Sequence, residues 1–175
     1  MSDIFSPPQV EPTDARDVAT DLRVEQARKL IRRNVYWALG LGAVPIPFVD
    51  AAGVLVVQIK MLRELARLYD VAYSDNRAKA IVTSLISSLG AQALSYAFVG
   101  SIFKLIPALG PAFALVTMPV VSGALTQTLG NVFVMHFEAG GTLLDFDVPA
   151  MRSHFKQEFE RNKIVVEELR RSPSP

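Results

Sequence analysis

Apolar residues return at helical spacing along most of this chain, and in its middle they displace charge altogether. Ala27, Leu30, Ile31, Val35 and Ala38 recur every three or four positions. That spacing predicts a first helix from about Thr13 or Asp14 to Ala38, with Asp14 and Asp17 in its first turn. Gly40, Gly42, Pro45 and Pro47 break it, because glycine loosens the backbone and proline removes a donor. A second helix is expected from Pro47 or Phe48 to Tyr69. Leu55, Ile59, Leu62, Leu65, Ala66 and Tyr69 form one stripe and Lys60, Arg63, Glu64 and Arg67 the opposite face. Asp50 lies in its first turn, where the helix dipole favours an anion; the alternative is a buried acid paired with a base elsewhere. Ser74 or Asp75 caps a third helix. Asp147 and Pro149 start a last one, whose apolar face is Val148, Met151, Phe155, Phe159, Val166 and Leu169.

Between these amphipathic elements lie two stretches without Asp, Glu, Lys or Arg, Ala80–Phe103 and Leu105–Phe137, separated by Lys104. Each exceeds the roughly 20 residues that cross a bilayer core as a helix. Ile106-Pro107-Ala108-Leu109-Gly110-Pro111 joins them as a tight turn, so the pattern predicts a helical hairpin over about 78–138. Pro119 is expected to kink or divide its second arm. Ser87 and Ser95 on one arm, and Ser122, Thr126 and Gly130 on the other, form small-residue rows that let helices approach closely in a membrane. Gln92, Gln127 and Asn131 are placed to hydrogen-bond across the pair. The competing reading is an ordinary close-packed helical core.

Composition agrees with an apolar centre and polar ends: half the residues are hydrophobic, a fifth are charged, and the mean hydropathy is +0.28. At 175 residues one helical domain is expected over 14–171, with its C-terminal amphipathic helix over about 147–171. Residues 1–13 and 172–175, rich in proline and polar groups, read as disordered ends. The first residues show no signal-peptide pattern. A net charge of +1 points to no nucleic-acid partner. The lack of cysteine removes disulfides, thiolate metal sites and cysteine nucleophiles. His136 and His154 stand without a second ligand at metal-site spacing, and no nucleophile elbow or triad spacing occurs. No cofactor, metal or catalytic residue is therefore assigned, and the chain is read as a non-enzyme.

Charge placement carries more information. Arg28, Lys29, Arg32 and Arg33 directly precede Val35-Tyr36-Trp37, a basic patch running into aromatics as at a membrane interface. Arg32, Arg33, Trp37, Arg63 and Arg67 are accordingly candidate contacts to a membrane surface or a partner. Basic residues flank the hairpin while its turn holds only Lys104, which places both termini in the cytoplasm.

Val44-Pro45-Ile46-Pro47-Phe48-Val49-Asp50, Gln58-Ile59-Lys60-Met61, Leu65-Ala66-Arg67-Leu68-Tyr69 and Leu105-Ile106-Pro107-Ala108-Leu109-Gly110 follow one another in an order that resembles the YcjF-like domain of unknown function. The resemblance covers roughly Gln26 to Glu138, and Pro45, Pro47, Asp50, Pro107 and Gly110 carry it. That bacterial family is regarded as membrane-associated and is often fused to or encoded near Era-like GTPases. The resemblance therefore implies a GTPase partner in trans, since this chain has no Walker loop. It donates no catalytic residues.

The sequence thus predicts an all-α protein of about five helices with a membrane-embedded central hairpin. Its expected place is the cytoplasmic membrane, multi-pass, in contact with the lipid bilayer, and its expected role that of an adaptor or scaffold. Two alternatives stand: a small oligomeric pore or transport component, and a cytoplasmic helical bundle with the hairpin as core that binds an apolar ligand or partner. Self-association into a homo-oligomer is left open.

Overall fold

The computed structural model describes residues 12–42, 49–90 and 110–171, with side chains placed for 16–42, 52–90 and 118–171. Among these residues the chain is all-α, with five helices and no strand. They are α1 (Pro12–Gly42), α2 (Val49–Leu68), α3 (Asp75–Ser88), α4 (Gly110–Glu138) and α5 (Val148–Arg171).

A helix that is apolar all round has to be enclosed. From Met118 to Phe133 nearly every α4 side chain is buried, and α1, α2 and α5 enclose it. The inward stripe of α1, Ala27, Ile31, Val35 and Ala38, is fully buried as its spacing predicts. Ile31 faces Gly130 while Gly42 faces Pro119 and Ser122, so α1 and α4 run antiparallel. Arg33 pairs with Glu64 at 2.8 Å and Leu41 lies over Gly53, which sets α2 antiparallel to α1. Asn162 reaches Thr128 and Val166 reaches Gly123, so α5 returns along α4. Phe133, Phe155, Phe159, Met61, Leu62, Leu65 and Leu85 fill the space between them.

Several expectations need correction. The third helix does not continue through the first charge-free stretch. It ends at Ser88, the Leu89 N–H bonds back to Ile86, and Gly90 takes a left-handed φ of +76°. That conformation suits glycine and stops a helix. At 14 residues α3 rises about 21 Å, short of a bilayer core of roughly 30 Å. Among the described residues no helix is long and apolar enough to cross a membrane, so the multi-pass hairpin has no support there. α4 runs unbroken through Pro119 rather than dividing. α1 extends past Ala38 to Gly42, where the missing Cβ lets the backbone press on Pro119 and Ser122 of α4. Asp147 does cap α5: its carboxylate accepts the Ala150 N–H at 3.1 Å.

Candidate functional site

The expected hairpin contacts separate once placed. Ser122, Thr126 and Gly130 are buried, and among the described residues Ser122 meets Gly42 and Gly130 meets Ile31, both of α1. A Cβ on Gly130 would lie 2.6 Å from Ile31. The Thr126 hydroxyl bonds back to the Ser122 carbonyl at 2.9 Å. Gln127 donates to Asn131 at 2.9 Å, one turn along the same helix, instead of bonding across a pair. Ser87 is exposed on α3. Gln92, Ser95, Pro45, Pro47 and Pro107 lie outside the described residues. Gly110 opens α4, and Asp50 is the second residue of α2, consistent with a place in its first turn.

The surface candidates fall into three places. Gln26, Lys29, Leu30 and Arg33 of α1, with Glu64, Arg67 and Leu68 of α2, line an open groove of about 650 Å³. Glu64 is its one acid. Arg33 donates to it at 2.8 Å, and buried Asn34 holds the Leu30 carbonyl at 2.9 Å while lying 3.5 Å from the same carboxylate. Lys29 lies 3.7 Å from Glu25 of its own helix, so with Glu64 engaged it is Arg67 that leaves the groove net basic. Arg63 is not part of it. Arg63 grips both oxygens of Asp75 at 2.7 and 2.9 Å and stacks over Tyr73, 5.4 Å from the ring centre. The Tyr73 hydroxyl donates to Asp75 at 3.1 Å. Arg63's hydrogen bonds hold the Asp75 carboxyl below its ordinary range. This cluster clasps the α2–α3 connection, so Arg63 is occupied as a fold contact. Arg32 and Trp37 sit elsewhere, exposed on α1, Trp37 nearer its C-terminus.

The histidines serve the connection between α4 and α5. His136 Nε2 lies 2.8 Å from the Thr142 carbonyl and 3.5 Å from Asp145, with its ring edge-on to Phe146 at 4.9 Å. The Thr142 hydroxyl and N–H donate to Asp145 at 2.7 and 2.6 Å and hold its pKa down at about 2. His154 is half-buried on α5. Among the described residues no three His, Asp or Glu side chains gather as a metal-binding group.

Four buried polar residues escaped the sequence reading: Asn34, Gln58, Thr128 and Asn162. Asn162 donates to Thr128 at 3.0 Å, and Thr128 donates to the Ala124 carbonyl at 2.7 Å, a buried link between α5 and α4. The available signal was position: Asn34 shares a stripe with Ile31 and Ala38, Gln58 with Leu62 and Leu65, and Asn162 with Phe159 and Val166.

Compared with known proteins, residues 13–163 match the model of a domain of unknown function, DUF697. The chain belongs to the DUF697 family. The matched span contains the whole of the motif-bearing region from Gln26 to Glu138. Magnetosome membrane protein 22 of Magnetospirillum gryphiswaldense is 32% identical to this DUF697 chain over 144 residues, covering 82% of the chain and 74% of that relative. No solved structure matches it.

Proposed function

We propose that this DUF697 chain is a non-enzymatic, membrane-associated adaptor or scaffold protein. The observation that carries the reading is similarity across most of the chain to a protein named for a membrane. The resemblance to the YcjF-like domain supports an Era-like GTPase as the partner in trans, at the cytoplasmic face of the inner membrane. The net-basic α1–α2 groove is the surface on which an acidic segment of such a partner fits, because Arg67 stands beside an acid already bound to Arg33 and Lys29 is held only by a long, exposed pair with Glu25.

Fractionation of expressing cells tests the membrane part. The chain is expected in the membrane pellet at low salt; full recovery in the cytosolic fraction overturns the reading. A carbonate and urea wash of that pellet then separates peripheral from integral attachment. Pull-down of the nucleotide-loaded GTPase in detergent tests the adaptor part. Lys29→Glu with Arg67→Glu is expected to lower capture from detergent at least tenfold with helix content unchanged by circular dichroism. Equal capture by the double variant removes the groove as the partner site.

A further inference from the structure

The antiparallel packing gathers particular chain segments at one end of the bundle. Gly42 lies on Pro119 and Ser122, Leu41 on Gly53, and Val166 on Gly123. That end therefore holds the C-terminal turns of α1, the start of α2, the early part of α4 and the late part of α5. α3 begins at the opposite end, where Asp75 is held by Arg63 and Arg77 donates to the Leu144 carbonyl at 3.1 Å. Little charge lies in the sequence of the α1 and α2 turns at that first end. From Asn34 to Ile59 the one charged residue is Asp50, and from Ala80 to Phe137 the one Lys, Arg, Asp or Glu is Lys104.

On its α1–α2 side the outer surface there is apolar. Trp37 is 62% exposed and Val56 67%, Tyr36 is also exposed, and a Cβ at Gly40 would meet nothing within 4 Å. The Arg33–Glu64 and Leu41–Gly53 contacts fix the register of α1 against α2. They set Trp37 level with the turn of α2 from Val56 to Lys60. A single exposed Trp is unremarkable. What gives this one meaning is its border, the exposed cations Arg28 and Arg32 on α1 and Lys60 on α2, next to Lys29 and Arg33, which are paired with Glu25 and Glu64. Charge along α1 is also segregated. Before Gln26 the four acids Asp14, Asp17, Asp21 and Glu25 outnumber Arg16 and Arg23, and from Gln26 to Gly42 every charge is positive. An anionic surface attracts the aromatic end of α1 and repels the other, which favours end-on docking over α1 lying flat.

We propose that Tyr36, Trp37, Gly40 and Val56 form a docking ledge for an anionic phospholipid surface, with Arg32 and Lys60 at the level of its headgroups. This inference rests on the membrane-associated reading and specifies the face that carries it. Amphipathic Trp and Tyr rings settle at the headgroup boundary, and nearby cations add Coulomb attraction to anionic lipid.

Trp37 is the chain's one tryptophan, so intrinsic emission reports on this ledge alone. The purified full chain is mixed with phosphatidylcholine vesicles, with or without a third of phosphatidylglycerol, and followed by sedimentation and emission. Sedimentation with the anionic vesicles is expected, with a blue shift of Trp37 and quenching by brominated acyl chains. Both effects should fall steeply in high salt. Arg32→Gln and Lys60→Gln should each weaken binding about fivefold. Val56→Asp, at an exposed position, should abolish the blue shift with helix content unchanged by circular dichroism. Sedimentation without any Trp37 change overturns the ledge and leaves membrane association standing through another surface. Equal blue shifts on neutral and anionic vesicles overturn the charged rim. Failure to sediment with any vesicle overturns both the ledge and a direct lipid reading.

Discussion

Gln58 sits at 1% exposure with both amide atoms buried and, among the described residues, without a hydrogen-bond partner. An unsatisfied buried amide costs about 1–3 kcal/mol, while a leucine of similar volume suits the same surroundings. Gln58→Leu is therefore expected to raise the urea midpoint, by about 1–2 kcal/mol in stability; a loss of stability would mean that the amide is engaged. Asp145 gives a second test. Thr142's hydroxyl and N–H depress its pKa from the ordinary 3.8 to about 2. A depressed carboxylate stabilises the fold fully above its unfolded value and loses that contribution as pH falls through the folded one. The melting temperature of Asp145→Asn should thus lie below that of the parent chain at pH 6, and the gap should close between about pH 4 and pH 2. A pH-independent gap excludes the carboxylate as its source. At this scale Asp147 was legible in the sequence, because a cap is a local pattern. Gln58 and Asn34 were not, since a stripe read for its apolar members treats a polar one as an interruption.

Helix faces were readable from the spacing of apolar residues, but helix ends and neighbours were not. The α1 stripe and the α5 stripe lie inward as predicted, whereas α3 stops at Ser88 inside a stretch read as continuous. Freedom from charge describes solvation and not backbone conformation, so it could not locate the turn at Gly90. The row Ser122, Thr126, Gly130 is a local pattern of small residues and could not say which helix lies against it; among the described residues Ser122 and Gly130 meet α1. The partner is α1, and glycine pairs on α1 test this. A Cβ at Gly42 would lie 2.9 Å from the Pro119 Cα and 3.1 Å from the Met118 carbonyl, both backbone atoms that cannot swing aside. Gly42→Ala should cost about 1–3 kcal/mol despite alanine's better helix propensity. Gly40→Ala, two residues earlier with open space around it, should instead gain about 0.5–1 kcal/mol. Chemical denaturation of the two variants measures both signs. Equal behaviour would mean that α1 does not press against α4 at this point.

For the whole molecule the question is whether the bundle stays closed when it meets lipid. A spanning hairpin would carry α4 into the bilayer and leave the charged α1 outside it, whereas the structure encloses α4 with α1, α2 and α5. The cysteine-free chain allows a direct test with introduced thiols. A Cβ at Gly130 lies 2.6 Å from the Ile31 side chain, so Ile31→Cys with Gly130→Cys brings two thiols together once the isoleucine is shortened. In membranes from expressing cells this pair should oxidise to an intramolecular disulfide, seen as faster migration on non-reducing gels. An opened hairpin separates the two helices and gives no such band. Accessibility then gives the orientation. Leu22 and Leu144 are exposed toward the end where α3 begins, and Val56 is exposed at the apolar end. A water-soluble maleimide should label Leu22→Cys and Leu144→Cys equally with and without membranes and should label Val56→Cys at least tenfold more slowly when membranes are present. A disulfide without Val56 protection would describe a closed bundle held at the membrane by a different face. Protection without the disulfide would describe a chain that opens on the bilayer, with the ledge as its first point of contact.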